Sequence, residues 1–186
     1  MPNSKIHTFI EPKQERSKKR FNEVLKTAEF IYRNPHNYDL TVQDIAKISG
    51  MKRPSIYKFF PNNESILQAL SHKYSSSLFE LIKKNLNNLT YKDEKELIKV
   101  IVDVYAIYLN KNCEVASLIF NEFSKDVLLE KLLKLIQERS TGETRKIKFA
   151  LSILVGCLGD FLNQEKSISP MCVTETKKAC LIYLAN

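Results

Sequence analysis

The stretch that most constrains this chain is TVQDIAKISGMKRPSIYKFF, residues 41–60. It predicts two short helices joined by a tight turn. Thr41 is a good N-cap, and Asp44 three residues on completes a pair resembling a capping box. Val42, Ile45, Ala46 and Ile48 supply the apolar side of the first helix. Gly50 stands where a helix ends in a left-handed residue, a conformation glycine takes without steric cost. Met51 then turns the chain inward. A second helix begins at Arg53, with Pro54 in the first turn, where its missing N–H costs nothing. Ala46 is small enough for the second helix to cross close over the first, and Ile56 and Phe59 face the shared core. This is the pattern of a helix-turn-helix. An ordinary helical hairpin would share the alanine and the glycine. The outward face of the second helix, Lys52, Arg53, Ser55, Tyr57 and Lys58, goes further: it is basic and hydroxyl-rich with no carboxylate.

Charge is distributed to match. Residues 1–60 hold twelve Lys/Arg against six Asp/Glu, and residues 61–186 hold seventeen against fifteen, so most of the net +8 lies around the helix-turn-helix. An electrostatic footprint for phosphate has this form. Residues 1–13, with Pro2 and Pro12 and no periodicity, read as a mobile arm. Arg16, Lys18, Lys19 and Arg20 lead into a first helix with the stripe Phe21, Val24, Leu25, Ala28, Ile31 and Tyr32. That basic start suits a position along a DNA backbone. In the next loop, Asn34 to Tyr38, no glycine is present, and Asn34 or Asn37 is expected to take the left-handed conformation.

Beyond Phe60, Pro61-Asn62-Asn63 breaks the second short helix and caps a long one, whose stripe Ile66, Leu67, Leu70, Tyr74, Leu78, Leu81 and Ile82 runs to about Leu86. The rest is helical too: 93–110, 113–123, 126–138, 145–163 and 171–184, with no strand pattern. The helix over 93–110 is apolar on most sides and belongs inside a bundle. Asp103 is expected to form a solvated pair with Lys99. The helices over 145–163 and 171–184 are apolar around nearly their whole circumference, with Ala150, Gly156 and Gly159 small enough for helix axes to approach closely. Such helices need more cover than one subunit supplies, which predicts a homodimer through the last two helices, two from each subunit forming a four-helix bundle.

The expected class is therefore all-α: an arm over 1–13, a three-helix DNA-binding domain over 14–62 with the helix-turn-helix, and a helical dimerisation bundle over 63–186, to which the family resemblance described next adds ligand binding. No phosphate-cradling glycine loop, nucleophile elbow or His-Glu-x-x-His is present, so no catalytic residue, cofactor or metal is expected. Cys113, Cys157, Cys172 and Cys180 show no metal-ligand or disulfide spacing and read as buried core thiols. The longest apolar run, Phe149 to Leu158, is too short for a bilayer, so no membrane partner and a cytoplasmic location are expected.

The stretch from Phe21 to Leu70 resembles the DNA-binding domain of the tetracycline-repressor (TetR) family of bacterial transcription regulators. The resemblance rests on Thr41, Ile45-Ala46, Gly50, Tyr57-Lys58-Phe59-Phe60 and Glu64-Ser65-Ile66-Leu67. It departs at Asn63, where the family usually has a lysine resembling a phosphate contact. On helix-turn-helix geometry, Arg53 and Lys52 are the candidates for base edges, with Pro54 against a thymine methyl. Thr41, Ser55, Tyr57 and Lys58 would hold phosphates. Gln43 resembles a family position that reaches a base, where it would suit adenine. The resemblance also implies a dimer on a palindromic operator in double-stranded DNA. It further implies a repressor released when a small molecule enters the second domain. The expected pocket walls are Tyr105, Tyr108, Phe120, Phe123, Cys157 and Phe161, and so few charges there suit an apolar or aromatic effector. Two other classes share parts of this pattern: a non-specific architectural DNA binder and a helical protein–protein adaptor.

Overall fold

The structure, a computed structural model, describes residues 9–37, 39–87 and 93–185, apart from the side chains of Glu122 and Phe123. The regular elements among them are all helical, as expected. They are α1 (Glu15–Arg33), α2 (Val42–Ser49), α3 (Arg53–Tyr57), α4 (Asn63–Asn87) and α5 (Glu94–Lys111), then a 3-10 helix (Cys113–Leu118), α6 (Glu122–Gln137), α7 (Thr144–Glu165) and α8 (Pro170–Ala185). The helix expected over 113–123 is instead the short 3-10 turn. The chain restarts as α6 because the Asn121 carbonyl accepts the N–H groups of Ser124 and Lys125 at 3.0 and 2.9 Å. Two compact units result, residues 1–73 and 74–186, with the division inside α4.

In the first unit the expected stripe of α1 is buried at Phe21, Val24, Leu25, Ala28 and Ile31. It shares a core with Val42, Ile45, Ile56, Phe59, Phe60, Ile66 and Leu70, all buried. Phe21 anchors the aromatic part of that core, stacked on Phe60 at 4.8 Å and edge-on to Phe59 at 5.9 Å. Burying a ring such as Phe60 removes it wholly from water and stabilises by roughly 1.5–3 kcal/mol. Two expectations fail here. Ile48 is 38% exposed and lies outside the core. Neither Asn34 nor Asn37 has a positive φ. Asn34 instead closes α1 by donating its side-chain amide to the Phe30 carbonyl at 2.8 Å, a bond that needs no left-handed turn. Tyr38, in the same loop, lies outside the described residues.

The arm expected over 1–13 is held from residue 9 onward; residues 1–8 lie outside the described ones. Phe9 is buried against Phe21 and His72, with ring centroids 6.2 and 6.0 Å away. The Ile10 N–H donates to the Phe59 carbonyl at 2.9 Å, satisfying a group just past the end of α3.

In the second unit α5, α7 and α8 pack together, with α6 against α7. The side chain of Asn110 fastens the α7–α8 connection: its amide donates to the Ile168 carbonyl at 2.8 Å, and its oxygen accepts the Ile168 N–H at 2.7 Å. Asp103 pairs with Lys177 of α8 at 2.6 Å, replacing the expected pair with Lys99. That partner was hidden because it lies 74 residues away in sequence. Of the four cysteines only Cys172 and Cys180 are buried; Cys113 is exposed and Cys157 half-buried.

At 22 residues, α7 is longer than the apolar run from Phe149 to Leu158 within it, and by length and composition alone it could cross a bilayer. A core helix passes the same test. Ile147, Ala150, Leu151, Leu154, Val155 and Leu158 are buried inside the unit, as the packed stripe of a bundle helix would be.

Candidate nucleic-acid interface

The turn between α2 and α3 is built as its residue types dictate. The Thr41 hydroxyl oxygen accepts the Asp44 N–H at 3.1 Å, so α2 opens on a side-chain cap. Such a cap stabilises a helix by about 1 kcal/mol. At the other end the Ser49 hydroxyl donates to the Ile45 carbonyl at 2.6 Å and accepts the Met51 N–H at 3.3 Å. Gly50 follows at φ 69°, ψ 7°, the left-handed conformation that turns the chain toward α3. Lys52 stands at the N-cap position of α3 without a side-chain cap bond, Pro54 occupies the first turn, and the Ser55 N–H donates to the Lys52 carbonyl at 2.8 Å. Phe59 and Phe60 close it, both N–H groups bonding to the Ile56 carbonyl at 3.0 Å.

Because Ile56 is fully buried, α3 has one inner and one outer side. Lys52, Arg53, Pro54, Tyr57 and Lys58 are exposed, Ser55 is half-buried, and Gln43 stands exposed on α2. Among the described residues, the side chains of Lys52, Arg53, Tyr57, Lys58 and Gln43 form no hydrogen bond or ion pair. Three cations, Arg53 on the five-residue helix and Lys52 and Lys58 at its two ends, have no carboxylate partner and keep their full charge for an external anion. Thr41 is placed differently: its hydroxyl is committed within the cap, donating to the Asp44 carboxylate at 3.1 Å. Reaching a phosphate would require that hydroxyl to exchange acceptors.

Of the residues expected around an effector, Tyr105 is fully buried with its ring 6.4 Å from that of Phe120. Burial pushes the Tyr105 phenol well above its ordinary pKa. The Tyr108 hydroxyl donates to the Tyr74 carbonyl at 3.1 Å. Gly159 lets α7 approach Phe120 closely: a Cβ there would stand 3.3 Å from the ring. Cys157 and Phe161 are half-buried, and the side chain of Phe123 lies outside the described residues. Burial, reinforced by Asp160, raises the pKa of the Cys157 thiol.

None of these six lines the groove of about 570 Å³ between α6 and α7. That groove has a leucine floor (Leu129, Leu133, Leu151) and rims of both signs, including Glu130, Lys134 and Lys148. Leu129 and Leu133 are indistinguishable by spacing from core residues, so the groove leaves no trace in the sequence.

A capped two-helix turn presenting an unpaired basic helix, on an all-helical chain of two units, defines a helix-turn-helix regulator fold. Residues 35–70 match the family model described as bacterial regulatory proteins, tetR family. Over that segment the chain is similar to the bacterial regulatory proteins of the TetR family. Solved structures extend the likeness of fold to nearly the whole chain. A TetR-family transcriptional regulator from Streptomyces coelicolor superposes with a TM-score of 0.69 at 17% identity, covering 89% of this chain and 98% of that one. The fatty acid degradation regulator FadR from Bacillus halodurans does so with a TM-score of 0.61 at 16% identity, covering 88% and 97%. Among curated proteins none matches the chain.

Proposed function

We propose that the chain is a sequence-specific transcriptional repressor that binds a palindromic operator as a homodimer and releases it when a small molecule binds. The observation that carries the DNA reading is the outer face of α3, where Lys52, Arg53, Tyr57 and Lys58 are exposed and unpaired on a tightly capped turn. In this reading residues 14–62 meet DNA, and residues 63–186 regulate and dimerise. The start of α3 enters the major groove, so Arg53 and Lys52 reach base edges, Pro54 meets a thymine methyl, and Ser55, Tyr57 and Lys58 hold the backbone. Gln43 reaches an adenine from α2, and Thr41 adds a phosphate contact if its hydroxyl leaves Asp44.

The dimer reading draws on the exposed apolar residues of the last two helices: Phe149 is 47%, Ile182 63% and Met171 75% exposed in the single chain. The effector reading draws on the aromatic layer of Tyr105, Tyr108 and Phe120, which suits an apolar or aromatic molecule, with Phe123, Cys157 and Phe161 as further candidates. Such a protein works in the cytoplasm, where the operator is.

Selecting bound fragments from random duplex DNA tests the proposal. The expected result is one enriched site with two-fold symmetry. Equal recovery of all sequences would support an architectural binder instead, and no recovery at low salt would leave only an adaptor.

A further inference from the structure

We propose that Asn63 is a positioning residue: it fastens the first turn of α4 to the first turn of α2 and thereby fixes where α3 is presented. The inference rests on the DNA-binding reading above for its functional meaning. A helix of eight residues, as α2 is, leaves its first N–H groups without partners inside the helix. Thr41 accounts for two of the amides that follow it, its hydroxyl accepting from Asp44 and its carbonyl from Ile45. The Val42 N–H is taken by the side-chain oxygen of Asn63 at 3.0 Å, from 21 residues further along the chain.

Asn63 is free for this because its own helix is capped by others. The Asn62 side-chain oxygen accepts the Ser65 N–H at 2.8 Å, and the Ser65 hydroxyl donates to the Asn62 carbonyl at 2.6 Å. Thus α4 opens on a local cap, while the next residue reaches sideways to cap a second helix. Only Gly50, Met51 and Lys52 separate α2 from α3, and Gly50 is fixed in the left-handed region. Any displacement of the first turn of α4 therefore pulls on α2 through Val42, and α3 follows through a three-residue turn. Residue 63 must carry an acceptor on a short stem, which asparagine and aspartate supply and alanine does not.

The test uses the full chain, isotopically labelled, with Asn63→Ala and Asn63→Asp, first without DNA. The Val42 amide should exchange with solvent on the order of tenfold faster in Asn63→Ala, since its one acceptor is gone. The amide resonances of Arg53, Ser55, Ile56 and Tyr57 should move in the same variant. Asn63→Asp should restore both. A residue that merely stabilises the unit would leave the α3 resonances in place. The proposal is overturned if either Val42 protection or the α3 resonances are unchanged in Asn63→Ala, or if Asn63→Asp fails to restore them. Binding of the wild-type chain to a selected duplex is scored separately. Its absence would remove the DNA reading while leaving the amide results to judge the interlock.

Discussion

Replacing Gly156, midway along α7, sets two effects of opposite sign against each other. In the single chain the position is exposed, and a Cβ built there meets no atom within 4 Å. Steric cost is therefore nil, and only helix propensity remains. Glycine in a helix interior is about 0.8–1.0 kcal/mol worse than alanine, and lysine lies close to alanine on that scale. Gly156→Ala and Gly156→Lys should each stabilise the isolated subunit by roughly that amount, seen as a higher urea midpoint at low protein concentration. In the proposed dimer the outer side of α7, with Phe149 packed on Tyr183 at 5.6 Å, meets its own copy. A two-fold axis then brings two introduced lysines together in an apolar contact. Like charges so placed cost several kcal/mol, so dimerisation should weaken on the order of a hundredfold or more in Gly156→Lys. Sedimentation velocity over a range of concentrations measures it. A lysine variant that dimerises as tightly as the wild type, while showing the expected gain in the subunit, would refute the placement of the interface on α7.

Gly50→Ala isolates backbone strain, since φ is 69° and nothing lies within 4 Å of the new Cβ; it should cost about 1–2 kcal/mol in urea unfolding. Arg53→Ala should relax discrimination at particular base pairs by about 1–3 kcal/mol, whereas Tyr57→Ala should weaken all sequences alike; gel shifts over mutated operators separate the two. Lys58→Ala should lower the slope of log binding constant against log salt by about 1. Burial, with the neighbouring Cys157 adding to it, pushes the Cys180 thiol from its ordinary 9.0 up to about 11. The fold thus favours the protonated thiol. Its contribution is complete below pH 9 and is lost as the pH rises toward 11, so wild-type stability should fall over that window more than that of Cys180→Ala.

What the sequence discloses about this molecule follows the range of the interactions involved. The turn at Thr41, Gly50 and Pro54 was legible because each residue is chosen by the backbone within four positions of it: a cap, a left-handed C-terminus, a helix start. The stripe of α1 was legible because periodicity records burial directly. Contacts between distant segments leave no such trace. An asparagine two residues after a proline reads as a cap for its own helix, yet Asn63 serves α2. Asp103 had a suitable lysine one turn away and pairs with one on another helix. Phe9, among residues with no period, is buried because an aromatic cluster elsewhere has room for its ring. All three are cases in which local chemistry permits several partners and the tertiary fold selects one. In the first unit, the pieces visible in the sequence can form a helix-turn-helix by themselves. Their fixed orientation depends on bonds from outside the motif, Asn63 to Val42 on one side and Ile10 to Phe59 on the other. A substitution at either place would leave the motif intact by inspection while loosening what holds it, so operator affinity in this chain should be sensitive to residues that never touch DNA.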